Sequence, residues 1–152
     1  MTKELHKKDK NITPRCPHDG HLMRRDVRST EVAYKGESAM VNVPGWYCDH
    51  CGEGILVGRE VKESDRVFQQ LKARAEGLIE PDDIKHVRKK LKLSQEVAGE
   101  IIGGGPRAFQ KYEKGDLLPS RALSSALILL DHFPKGLEIL IKHKKSMSQQ
   151  HV

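Results

Sequence analysis

The chain has 152 residues with 27 Lys+Arg against 21 Asp+Glu, a formal net charge of +6, which leaves room for one ordinary domain or two small ones and favours a phosphate-rich partner. It has no apolar run long enough for a signal peptide or a membrane span, so the expectation is a soluble, cytoplasmic protein with no membrane role.

Charge is unevenly spread along the chain. Residues 82–152 carry 13 Lys+Arg against 8 Asp+Glu, a net of +5, whereas residues 15–81 carry 10 against 11, a net of −1. The positive excess therefore sits in the second half.

Residues 1–14 are polar and Lys-rich and read as a disordered tail,. Cys16-Pro17-His18-Asp19-Gly20 then has the shape of a metal knuckle with Asp19 where a second cysteine would stand. Val32-Ala33-Tyr34 and Ala39-Met40-Val41-Asn42-Val43 alternate around Lys35-Gly36-Glu37-Ser38, which predicts a β-hairpin,. Cys48-Asp49-His50-Cys51-Gly52 is a full C-x-x-C-G knuckle, whose thiolates can grip one zinc ion while the glycine lets the backbone turn.

Together the knuckles offer Cys16, Asp19, Cys48 and Cys51 as a zinc set, carboxylate being a legitimate though unusual structural ligand. Two other arrangements fit the spacing. His18 or His21 could replace Asp19, or the site could be weak or empty with a disulfide between cysteines. His50, inside a knuckle, is expected to face solvent. A thioredoxin-like redox pair is disfavoured, because Cys48 and Cys51 do not open a helix after a buried strand: Pro44 and Gly45 precede them and glycines follow at 52 and 54,.

From about Leu56 to Ala75, Val61, Val67, Phe68, Leu71 and Ala75 mark an amphipathic helix that would pack on the hairpin. The periodicity breaks near Gly77, and residues 78–81 read as a linker, with Pro81 suited to start the next helix. Arg88, Lys89, Lys90 and Lys92 on that helix are candidate phosphate contacts.

The stretch Leu93 to Gly115 carries the clearest chemistry. Ser94 suits an N-cap, and Val97, Ala98, Ile101 and Ile102 form an apolar stripe on a helix to about Ile102. Gly103-Gly104-Gly105 can turn the chain sharply, and Pro106 stands at the expected first position of a second helix. There Ala108, Phe109 and Tyr112 face inward while Arg107, Gln110, Lys111 and Lys114 recur at i, i+3, i+4 and i+7. Arg and Lys can donate to guanine or phosphate and Gln can pair with adenine, so this is the layout of a helix-turn-helix reader of double-stranded DNA. Gln95, at the start of the preceding helix, is a further candidate contact.

After Gly115, Ser120 should cap a helix to Asp131 with Leu123, Ala126, Leu127 and Leu130 on one face. Ile128 and Leu129 are left over, and with Leu137, Ile139, Leu140 and Ile141 beyond Pro134 they offer either a dimer surface or further core. Residues 146–152 read as a tail. The predicted class is α+β: a small zinc-binding domain of hairpin plus helix over 15–77, then an all-α helix-turn-helix domain over 82–145.

In their order along one short chain, these motifs resemble the MqsA-type antitoxins of bacterial type II toxin–antitoxin systems. The resemblance runs from Cys16 to about Ile141. Its specific parts are the paired knuckles around a hairpin, Leu93-Ser94-Gln95, Gly103-Gly104-Gly105, Ala108-Phe109 and Tyr112-Glu113-Lys114-Gly115. It implies that residues 15–77 bind and neutralise a cognate toxin, usually a RelE-like mRNA endoribonuclease. It also implies that the Cro-like C-terminal domain forms a homodimer that represses its own operon at a palindromic operator. The family's base-reading positions fall on Arg107 and Lys111, and its zinc cysteines on Cys16, Asp19, Cys48 and Cys51, with Asp19 departing from the pattern. The competing expectation is a free-standing metal- or redox-responsive repressor. An enzyme is not expected, since the chain shows neither a general base in a pocket nor a His-rich pattern for an open metal position.

Overall fold

A computed structural model describes residues 12–149. The expected tail over residues 1–14 therefore lies outside the described residues as far as residue 11, as does the end of the 146–152 tail from residue 150. The sheet comprises β1 (Arg24–Tyr34), β2 (Glu37–Tyr47) and β3 (Gly54–Ile55), in the antiparallel order β1-β2-β3. Six helices follow: α1 (Arg59–Glu76), α2 (Pro81–Lys90), α3 (Gln95–Ile101), α4 (Ala108–Lys114), α5 (Arg121–His132) and α6 (Gly136–Gln149). The class is α+β as expected. None of the described helices is long and apolar enough to cross a membrane.

The hairpin turns on Lys35 and Gly36 alone, both at positive φ (46° and 88°), as a two-residue type I′ connection requires. This tight turn pairs Tyr34 with Glu37 and carries the register to Arg24 and Tyr47. Both strands are longer than the alternation suggested, because arginines and an Asp occupy the start of β1, where apolar residues would have marked it. Val41, Val43 and Tyr47 are buried on one face of β2, and α1 lies across β2 and β1. On α1, Leu71 and Ala73 turn inward, whereas Ala75, expected on the apolar face, is exposed. Phe68 is about one-third exposed and meets the ring of Tyr34 edge-on, with centroids 5.5 Å apart.

Gly77 ends α1 in the left-handed conformation, and Pro81 opens α2 after an extended Glu80, as the residue before a proline prefers. Between them Ile79 is buried in the helical core, and its N–H donates to Ser124 Oγ at 2.8 Å. Arg121 donates to the Glu76 carbonyl, and Arg66 pairs with Asp116 at 2.7 Å.

The helical core gathers Ile84, Val87, Leu91, Ala98, Ala108, Phe109, Tyr112, Leu123, Leu127 and Leu130 around a fully enclosed Phe109. Leu137 and Leu140 pack against it, while Ile128, Leu129 and Ile139 stay exposed. Ser120 caps α5 by accepting from the Leu123 N–H at 3.1 Å. Ser124 is buried where Ala126 was expected, because its hydroxyl accepts the Ile79 N–H. Residues 146–149, expected as tail, continue α6.

The inward face of α3 differs from the expected stripe. Ala98 is buried as expected, but Val97 is 38% exposed and Gly99 is buried instead. The cause is the glycine turn, which folds back so that Gly105 N–H donates to the Gly99 carbonyl at 3.1 Å. A Cβ on Gly99 would stand 1.9 Å from the Gly105 carbonyl oxygen. Gly99→Ala must push backbone aside, and overpacking of this kind costs about 1–3 kcal/mol. Urea denaturation should show a lowered midpoint for Gly99→Ala, and an unchanged midpoint would mean that the turn yields freely.

Candidate metal centre and nucleic-acid interface

The two knuckles are built alike. In the first, Cys16 N–H donates to His21 O at 2.8 Å and Gly20 N–H to Cys16 O at 2.9 Å. In the second, Cys48 N–H donates to Glu53 O at 2.8 Å and Gly52 N–H to Cys48 O at 2.9 Å. Gly20 and Gly52 both adopt positive φ (77° and 82°), which closes each loop where a Cβ would be strained. The hairpin brings the loops together, so that ligand atoms of Cys16, Asp19, Cys48 and Cys51 lie within 4.8 Å of one another. Cys16 Sγ is 3.4 Å from Cys51 Sγ, and Cys48 Sγ is 3.4 Å from Asp19 Oδ2. Four such donors, three of them sulfur, suit a closed tetrahedral ion.

Asp19, and neither His18 nor His21, joins the three cysteines. All three thiols are free, without the disulfide considered above. His50 is 68% exposed, but it does not simply face solvent: Nδ1 lies 2.9 Å from Asp19 Oδ2. Burial works against the Asp19 charge, yet the His21 backbone N–H, the neighbouring thiols and His50 hold its carboxyl far below the ordinary range. The Glu53 backbone N–H favours the Cys51 thiolate, but desolvation and the adjoining Cys16, Cys48 and Asp19 push that thiol up to about 12. Crowded anionic donors of this kind ionise together only around a cation.

Ser94 caps α3, with its hydroxyl accepting the Val97 N–H at 3.2 Å. Pro106 lies in the turn before α4, and Arg107 takes the N-cap position, so proline does not open the helix as expected. Arg107, Gln110, Lys111 and Lys114 are all exposed, opposite the buried Ala108, Phe109 and Tyr112. Among the described residues, the cations that form ion pairs within this half are Arg88, Lys90 and Lys144.

Arg88 was expected as a phosphate contact, but it is turned inward, 13% exposed against a Glu113 that is 5% exposed. Its guanidinium donates to both oxygens of Glu113 and to the Leu93 carbonyl at 2.9 Å. Gln95 donates to the same carboxylate at 2.9 Å, which commits its amide within the chain. Lys90 reaches Asp131 at 2.9 Å, whereas Lys89 and Lys92 are exposed. Glu113 is the residue that sequence reasoning overlooked. Its one signal was an acidic position on an otherwise basic helix.

The family model for the antitoxin component of bacterial toxin–antitoxin systems, MqsA, matches residues 14–140. The chain belongs to the MqsA antitoxin family. Antitoxin MqsA of Escherichia coli (strain K12) is 34% identical over 128 residues, which cover 80% of this chain and 95% of that protein. The family match takes in both knuckles and the whole of α2–α5. MqsA antitoxins are regulatory proteins, so this chain is an antitoxin and not an enzyme.

Proposed function

We propose that this antitoxin neutralises a cognate RelE-like mRNA endoribonuclease through residues 15–77 and represses its own operon in the cytoplasm. Repression would run through a homodimer of residues 82–145 on a palindromic operator, because one helix-turn-helix covers too few base pairs for strong specificity. The observation that carries the DNA-binding part is the exposed row Arg107, Gln110, Lys111 and Lys114 on α4. Arg107 and Lys111 are assigned to base edges, and Gln110 and Lys114 to flanking contacts. Gln95 is assigned to the same interface through Glu113, which ties α3 to α4. The unpartnered Ile128, Leu129 and Ile139 supply apolar area for the dimer. In the N-terminal half, Cys16, Asp19, Cys48 and Cys51 would hold one structural zinc, which keeps the hairpin and knuckles in shape for the toxin. The net charge of −1 over residues 15–81 spares that half repulsion from a basic ribonuclease, although shape and apolar contacts must supply most of the affinity.

Replacing Arg107 with Ala should cost roughly 1–3 kcal/mol on the operator and much less on random DNA, as expected for a base contact. A gel-shift titration of the full chain against both DNAs checks this, and equal losses would reassign Arg107 to phosphate. Co-expression with the product of the neighbouring toxin gene tests neutralisation. Restored growth supports neutralisation of that ribonuclease, while failure of an intact, DNA-binding chain favours a role as a metal- or redox-responsive repressor acting without it.

A further inference from the structure

On the outer side of the thiolate cluster, two imidazoles converge on the carboxylate that completes it. His21 Nδ1 lies 3.2 Å from Asp19 Oδ1 and His50 Nδ1 lies 2.9 Å from Asp19 Oδ2. The rings stack with centroids 4.4 Å apart and planes 21° from parallel. One nitrogen of each ring and a carboxylate oxygen fall within 4.8 Å of one another, a spread that small side-chain rotations close around an ion bound at about 2.0–2.2 Å. Asp19 is 14% exposed while the side chains of His21 and His50 are 57% and 68% exposed, so the remaining coordination positions open to water.

Electrostatics favours a cation here. Three thiolates and one carboxylate around a divalent ion leave the inner cluster at about −2, and the imidazoles sit against its outer face.

We infer that Asp19, His21 and His50 form a second, solvent-facing site for a divalent transition-metal ion, with the Asp19 carboxylate bridging it to the thiolate site. The inference rests on the reading of the thiolate cluster as a metal site. Two imidazoles and a carboxylate suit zinc, cobalt, nickel or copper better than calcium or magnesium. The bridge depends on a residue with two oxygens at position 19. A cysteine there would complete the inner set with a thiolate and give the imidazoles no carboxylate to share.

Cobalt(II) titration of the full chain, followed in the ultraviolet and visible, separates the two sites. The first equivalent should bring thiolate-to-metal charge-transfer absorption. The second should add only weaker ligand-field bands, for a total of two ions per chain. His21→Ala/His50→Ala should keep the first equivalent and weaken the second at least tenfold. Asp19→Cys should tighten the first and weaken the second at least tenfold, moving the two sites in opposite directions in a variant whose inner set is complete. Saturation of the wild-type chain at one ion, or a second equivalent that binds all three proteins alike, overturns the outer site and leaves the histidines to orient Asp19. A first equivalent without charge-transfer absorption overturns the thiolate site and the outer site with it.

Discussion

Chelating the metal should unfold the knuckles and the sheet, residues 15–55, while the helical half keeps its own melting transition. Apart from the cysteines, the small cluster beneath the site has only Met23 as a buried member, with Trp46 and Ile55 partly buried against it. That is too little apolar area to hold the two loops, and among the described residues the sheet and α1 add only Val41, Val43, Tyr47, Leu71 and Ala73 as buried apolar side chains,. Structural zinc contributes on the order of 10–16 kcal/mol in peptides of this kind, and its binding free energy is folding free energy. The helical half has an independent core around Phe109, Ile84 and Leu127. Hydrogen exchange before and after chelation checks this: protection should vanish in β1, β2 and the knuckles and persist in α2–α5. Unchanged protection in β1 and β2 would deny the metal a structural role and favour a sensor.

Glu113→Ala should cost about 3–5 kcal/mol, because it strands the inward-facing Arg88 without its counter-charge. The same substitution releases Gln95, so α2, α3 and α4 all lose their shared acceptor. Acid should mimic the change. Burial alone would raise the Glu113 carboxyl, but hydrogen bonds from Arg88 and Gln95 and the charges of Arg88 and Lys85 hold it below the ordinary range. A carboxyl depressed in the folded state contributes its full stability above the unfolded value near about 4.3. That contribution is lost as pH falls through the lower, folded value. The stability gap between wild type and Glu113→Ala, measured by urea denaturation, should therefore be widest near pH 7 and close below about pH 4. A gap independent of pH would mean that packing, and not the ion pair, supplies the difference.

Much of this organisation was legible in the residues. Caps at Ser94 and Ser120, the glycine turn, the paired knuckles and the α4 stripe depend on spacing within a few residues, and the structure places each of them as expected. What escaped were contacts across long separations. Nothing in the helix containing Arg88 distinguishes it from Lys89, yet Glu113, 25 residues away, turns it into an interior residue. Val97 looks like core by periodicity, but the close approach of the Gly103–Gly105 turn gives the inward place to Gly99. His50 looks like a bystander until the first knuckle is brought against the second and Asp19 meets its ring.

The Ile79–Ser124 contact determines what can be inherited as a unit. A segment that looks like a spacer supplies both a side chain to the helical core and a donor to its buried Ser124 hydroxyl. A recombination event that joined a new N-terminal module at Asp82 would deliver the helical half with a notch in its interior and the Ser124 hydroxyl without that donor. Breakpoints at or before Gly77 keep both. Exchange of N-terminal modules among such chains is thus channelled to the α1 side of the junction, and residues 78–81 travel with the helical half.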